Sequence, residues 1–253
     1  MGHDHSSLDI GLCRIDLASM DEVRSTIRAM RKTNSPGYVV TPNIDHLVRL
    51  SGSKEEEDLK SLYYSATLSL CDSRILELML KRHGFNIPEV VTGSDLTAKL
   101  FERDLGADDY VYILGGEDSL IVEIRQRFPE ITIEHHNPTM GFIKKNAEVG
   151  QVVDLIVAKK PNYVFLAVGS PQQEIIAKKL CDQPEFKGIA LCVGASMLFL
   201  AGAEKRAPGW IQKARLEWLY RLSQNPSRLA IRYLKNALAI PAINREMMSR
   251  LGP

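Results

Sequence analysis

The residues best suited to chemistry fall in five short segments, each directly behind a run of apolar residues. In Thr41-Pro42-Asn43-Ile44-Asp45-His46, Thr41 and Asn43 are placed either to hydrogen-bond a ligand or to cap a following helix. His46 reads as a satisfied histidine on a helix surface rather than a catalyst. In Cys71-Asp72-Ser73-Arg74, Asp72 is either a proton acceptor or the N-cap of the next helix. Gly115-Gly116-Glu117-Asp118 lets backbone approach a phosphate at a helix start, or makes a tight turn. Gly169-Ser170-Pro171-Gln172-Gln173-Glu174 sets a proline in a first helical turn with two amides beside it. Amides offer donors and an acceptor together, which suits sugar hydroxyls or a uracil edge. Gly194-Ala195-Ser196 admits a ligand or simply turns the chain.

Metal chemistry is not expected. The neighbours His135 and His136 would point to opposite sides of a strand, and no Cys/His cluster or D-x-D has ligand spacing. Cys13, Cys71, Cys181 and Cys192 form no C-x-x-C pair, so free thiols in a reducing compartment are expected.

These segments act together only if the chain gathers them. Strands are expected at Gly11–Ile15, Tyr38–Val40, Thr67–Leu70, Tyr110–Leu114, Ile131–Glu134, Tyr163–Val168 and Gly188–Val193. Their near-continuous hydrophobicity fits strands buried on both faces. Helical patterns alternate with them, the first opened by the capping box Ser19-Met20-Asp21-Glu22. Such alternation means an α/β fold with a mostly parallel sheet, whose ligands bind at the carboxyl ends of the strands.

From Glu204 the pattern changes to two basic helical stretches, Gly209–Ser223 and Ser227–Leu251, so residues 1–203 read as the body and 204–253 as a helical appendage. The appendage carries ten Lys/Arg against three Asp/Glu, a net +7 on a chain whose total is +1. A basic tail on an acidic body calls for an anionic partner. The near-neutral total argues against nucleic acid as that partner. The N-terminus lacks the apolar core of a signal peptide, and no apolar run reaches the length of a membrane span. Trp210, Trp218 and Tyr220 are free to pack on the body or on a second subunit of a homo-oligomer. Because every expected strand precedes Ala203, truncation there should leave a folded body.

Taken together, the segments resemble the WecG/TagA/CpsF family of bacterial glycosyltransferases from about Gly11 to Tyr233. The resemblance rests on Thr41-Pro42-Asn43, Asp72, Thr92-Gly93-Ser94-Asp95-Leu96, Leu114-Gly115-Gly116, Gly169-Ser170-Pro171-Gln172-Gln173-Glu174 and Ala201-Gly202. It continues through Arg206-Ala207-Pro208, Leu216-Glu217-Trp218-Leu219-Tyr220-Arg221-Leu222, Pro226-Ser227-Arg228 and Arg232-Tyr233. It implies a Rossmann-like domain and an inverting, metal-independent enzyme without cofactor. Such an enzyme moves a sugar from a UDP-sugar to a polyprenyl-diphosphate-linked sugar at the cytoplasmic face of the cell membrane.

By the same resemblance, Asp72 is the general base, Thr41, Asn43 and Gln173 lie in the pocket, and the appendage arginines reach the donor diphosphate. Arg206, Arg221 and Arg228 are the first candidates for that task, with Arg215 and Arg232 next. Arg74, Gly115, Gly116 and Gly169 complete the expected substrate contacts. The chain departs from the family pattern in Cys71-Asp72-Ser73, where Ala-Asp-Gly is usual, and in Gly194-Ala195-Ser196. It departs again at Val90 or Val91, where an arginine is common, a role open to Arg74. Two other readings compete: a nucleotide-cofactor oxidoreductase, which the missing G-x-G-x-x-G disfavours, and a non-catalytic module held to membranes by its basic tail.

Overall fold

The computed structural model describes residues 6–51, 56–204, 208, 211, 217–224 and 226–251; within these, the side chains of residues 56, 57, 217, 221, 227 and 228 are not described. Six strands form one parallel sheet: β3 (Gly37–Val40), β4 (Leu68–Ser69), β5 (Tyr110–Leu114), β6 (Thr132–His136), β7 (Tyr163–Leu166) and β8 (Ile189–Cys192). Their spatial order is β4-β3-β8-β7-β5-β6. The α/β expectation is therefore met.

Alternate strand residues feed two apolar layers. Tyr38, Val40, Tyr112, Leu114, Val164, Leu166, Ala190 and Cys192 face one. Val39, Val111, Ile113, Tyr163, Phe165, Ile189 and Leu191 face the other. Strands with both faces covered need no polar alternation, which is why they read as unbroken apolar runs. The second layer is closed by α1 (Met20–Thr33), α5 (Gly93–Arg103), α6 (Asp118–Arg127) and α9 (Ser196–Leu200). The first is closed by α2 (Ile44–Leu50), α3 (Glu56–Tyr64), α4 (Arg74–Arg82), α7 (Asn146–Lys159) and α8 (Gln172–Cys181). The Ser19 capping box that opens α1 is present with both of its hydrogen bonds.

One expected strand belongs elsewhere. The Gly11–Ile15 segment supplies β2 (Arg14–Asp16), which pairs antiparallel with β1 (Ser7–Asp9) in a separate two-stranded hairpin. Gly11, at φ +81°, turns that hairpin. Asp16 receives the Ser69 amide, and Arg14 donates to the Ala66 and Thr67 carbonyls, so the hairpin buttresses the edge strand β4 without joining the sheet.

Two further helices follow the body, α10 (Glu217–Gln224) and α11 (Pro226–Leu251). The far half of α11 is part of the body's core. Ile243 and Met247 are fully buried in the first apolar layer, while Lys60 pairs with Glu246, His83 with Asn244, and Arg250 with Asp9. The expectation that truncation at Ala203 leaves an intact body thus meets a physical objection: it would uncover that layer. Among the described residues, no helix is long and apolar enough to cross a membrane.

Candidate active site

Four neighbouring strands, β4, β3, β8 and β7, end on one side of the sheet, and their loops surround a pocket of about 650 Å³. Thr41 follows β3. It is almost completely buried, and its hydroxyl donates to the Cys192 carbonyl of β8 (3.2 Å). Asn43 caps α2, its Oδ1 accepting from the Asp45 and His46 amides, and it also lines the pocket. Capping uses only the carbonyl oxygen of the amide, so it leaves the Asn43 amide nitrogen outside the cap.

Asp72 follows β4 and lines the same pocket. Its amide donates to the Pro42 carbonyl (3.0 Å), which ties its loop to the Thr41–Asn43 loop. The capping role falls to Ser73, whose hydroxyl accepts from the Leu76 amide. The Asp72 carboxylate instead accepts from the Gly93 amide at the start of α5 (3.2 Å). A helix N-terminus favours the ionised carboxylate, the form that accepts a proton. A side chain on Gly93 would meet the Thr41 hydroxyl at 3.2 Å and that of Ser196 at 3.4 Å, so glycine keeps these three loops together. Cys71 is inert beside them, its thiol pushed up to about 12 by burial.

Gln173 begins α8 almost wholly buried. Its Oε1 accepts from the Gly194 amide (2.9 Å) and its Nε2 donates to Glu174 Oε1 (2.9 Å). The amide thus braces the β7 and β8 loops against each other on the pocket wall. Gly169 and Gly194 both take positive φ, +80° and +53°, and both line the pocket. Gly115 and Gly116 end β5 outside the pocket lining. A side chain on Gly115 would strike Val168 Cγ1 at 2.8 Å, so close packing of the neighbouring loop requires this glycine.

The pocket also contains groups that the residue pattern did not single out. His46, read as a surface histidine, lines the cavity instead, and its Nδ1 is buried with no hydrogen bond of good geometry among the described residues. Burial lowers its pKa, partly opposed by the Glu174 carboxylate. Its ring lies 6.1 Å from that of Tyr63. The Tyr63 hydroxyl donates to the fully buried Glu174 (3.0 Å) and is held well above the ordinary tyrosine range by burial and that charge. Arg49 lines the pocket too, bonded to Asp45 and to the Ser170 carbonyl. The available signal was helical spacing: Asn43 to His46 and His46 to Arg49 are each steps of three residues, so each is the next one's neighbour on the helix surface.

Of the expected cations, Arg74 and Arg232 line the pocket. Arg74 lies 3.6 Å from Glu77, and Arg232 lies 4.0 Å from Asp45 and over the Tyr233 ring. Val90, one of the two positions at which the resemblance places an arginine, also lines the pocket and presents an apolar wall there. Arg206 and Arg215 lie outside the described residues. Arg221 and Arg228 sit on α10 and α11, and their side chains lie outside the described residues. No group of three His, Cys, Asp or Glu is placed to hold a metal ion among the described residues.

Comparison with known proteins gives a consistent picture. Residues 8–252 match the "Glycosyl transferase WecG/TagA/CpsF family". The chain is 30% identical over 200 residues to an N-acetylglucosaminyldiphosphoundecaprenol N-acetyl-beta-D-mannosaminyltransferase of Bacillus spizizenii, covering 77% of this chain and 74% of that one. It is 34% identical over 116 residues to a Staphylococcus aureus protein of the same name, a match spanning 44% of this chain and 43% of the relative.

Proposed function

The chain belongs to the WecG/TagA/CpsF family of glycosyl transferases, and from that premise we propose that it transfers a sugar from a UDP-sugar to a polyprenyl-diphosphate-linked sugar with inversion. It is thus a glycosyltransferase, and the oxidoreductase and non-catalytic readings fall away. The observation that carries the finer reading is Asp72: a carboxylate on the pocket wall, relieved of capping by Ser73 and oriented by the Gly93 amide.

In this reading the acceptor hydroxyl attacks the anomeric carbon from the face opposite the nucleotide, and Asp72 takes its proton. The bond from the anomeric carbon to the diphosphate oxygen breaks, and UDP leaves with the electron pair. Arginines stabilise the charge that develops there, being permanently cationic and bidentate toward phosphate. Arg74 and Arg232 stand on the pocket wall for this role. Arg206, Arg215, Arg221 and Arg228 are the appendage's further candidates, and residues 204–253 serve both to complete the site and to meet the cytoplasmic membrane surface.

The relatives' name specifies an N-acetylmannosaminyl group and an N-acetylglucosaminyl-diphospho-undecaprenol acceptor. UDP-N-acetylmannosamine with a short-chain acceptor of that kind is therefore the first pair to assay, within a panel that includes the uronic acid and UDP-glucose. UDP release that depends on the acceptor and survives a chelator is the expected result. Absence of UDP release with every donor overturns the donor class, and loss of activity with EDTA that Mg²⁺ restores overturns metal independence.

A further inference from the structure

We propose that Arg49 is a diphosphate ligand provided by the body of the protein, oriented by Asp45 and the Ser170 carbonyl; the proposal deepens the glycosyl-transfer reading and rests on it. Arg49 lies in the last turn of α2, the helix whose first turn Asn43 caps at the same pocket. Its Nη1 donates to the Ser170 carbonyl at 3.1 Å, and its Nη2 donates to Asp45 Oδ2. A guanidinium has five N–H donors, so three remain for an anion after these two bonds among the described residues. Its side chain is 36% exposed, neither buried in protein nor loose in solvent.

Three arginines line the pocket among the described residues, and they are not equivalent. Arg74 is 45% exposed and, among the described residues, pairs with Glu77 at 3.6 Å. Arg232 comes from α11. Arg49 is held on two sides by the body, so its planar fork loses little further freedom on binding an anion. Asp45 brings Arg49 to one carboxylate oxygen and Arg232 within 4.0 Å of the other. One cation of the body and one of the appendage therefore flank a single anionic group. A diphosphate can span such a pair, with one phosphate on each guanidinium. The pocket wall also carries Asp45, Asp72, Asp95 and Glu204, so a multiply charged anion needs locally concentrated cations to enter.

The shared chemistry is a diphosphate, present both in UDP and in the acceptor lipid. Binding of UDP, uridine and farnesyl diphosphate to the full-length protein separates these sources, with thermal unfolding recorded for each variant. Arg49→Gln is expected to weaken UDP about ten- to hundredfold and to leave uridine unchanged. Arg49→Lys, which keeps the charge and loses the fork, should fall between. Weakening of farnesyl diphosphate alone assigns Arg49 to the acceptor's diphosphate. Equal weakening of UDP and uridine, with farnesyl diphosphate unchanged, would mean that Arg49 only braces the Ser170 loop, and it overturns the proposal. So does unchanged binding of all three. Wild-type protein that binds uridine as tightly as UDP instead defeats the UDP-donor reading, and the farnesyl diphosphate arm still decides the role of Arg49.

Discussion

Asp72 and His46 are each turned by their surroundings into something their sequence positions alone did not settle. With Ser73 capping α4, Asp72→Asn leaves the cap in place and, on the proposed reading, removes the base. The asparagine oxygen can still accept from the Gly93 amide. The variant should therefore unfold at the wild-type temperature and bind UDP normally while kcat falls about a hundred- to ten-thousandfold. Retention of most of kcat would place the base elsewhere. His46 makes a pH prediction. Burial lowers its folded pKa below the ordinary histidine value of about 6.5, with Glu174 and Asp45 opposing and Arg49 assisting. As pH falls below about 6.5, the unfolded chain takes up a proton that the folded protein refuses, so stability is lost until the folded pKa is reached. Urea unfolding between pH 7.5 and 5 should show wild type losing stability faster than His46→Gln, by up to about 1.4 kcal/mol per pH unit. Parallel pH dependence in the two proteins would show that His46 titrates as it does in the unfolded chain.

The informative element is α11, because its two halves meet different surroundings. Its far half seats Ile243 and Met247 at zero exposure against strands, helices and the hairpin. The ion pairs beside them, Lys60–Glu246 and Arg250–Asp9, are partly exposed and contribute little by comparison. Met247→Ala should cost about 2–5 kcal/mol in denaturant unfolding, the usual range for a buried methionine. Truncation at Ala203 should yield an unstable or aggregating protein, because it strips both residues from the layer. A truncated body as stable as the full chain would mean that the layer closes without them.

At the scale of the whole molecule, charge and apolar surface coincide on the near half of α11. Ile231, Leu234 and Leu238 are 66%, 63% and 74% exposed and are spaced three and four residues apart, so they share a helix face. They lie in the segment that carries a net +7. An interfacial helix needs both features, apolar side chains to bury and cations to meet anionic headgroups, each near-surface cation contributing roughly 1 kcal/mol. Ile231→Ser combined with Leu238→Ser should reduce co-sedimentation with phosphatidylglycerol vesicles severalfold. Turnover with a soluble acceptor analogue should stay near wild type. Undiminished vesicle binding would assign membrane contact to another surface.

Much of this protein is decided locally and is therefore visible in its sequence. Strands such as Tyr110–Leu114 and Tyr163–Leu166 are legible because burial on both faces demands unbroken apolar runs. The segments behind β3, β4, β7 and β8 are legible as the loops that line the pocket because a parallel sheet forms its crevices at its carboxyl ends. The family's motif order is also a property of the chain alone. Partnership is not. Whether Asp72 or Ser73 caps α4 depends on the Gly93 amide, twenty-one residues onward in sequence. The Gly115 segment has the composition of a phosphate loop, yet the strand order sets it beyond β7, outside the pocket lining. His46 and Arg49 look like ordinary helix-surface residues until the Ser170 loop and Tyr63 close over them. Local propensity is read within a turn or a strand, whereas burial and hydrogen-bond partners are set by residues from about twenty to more than a hundred positions apart, and those contacts exist only in the folded chain.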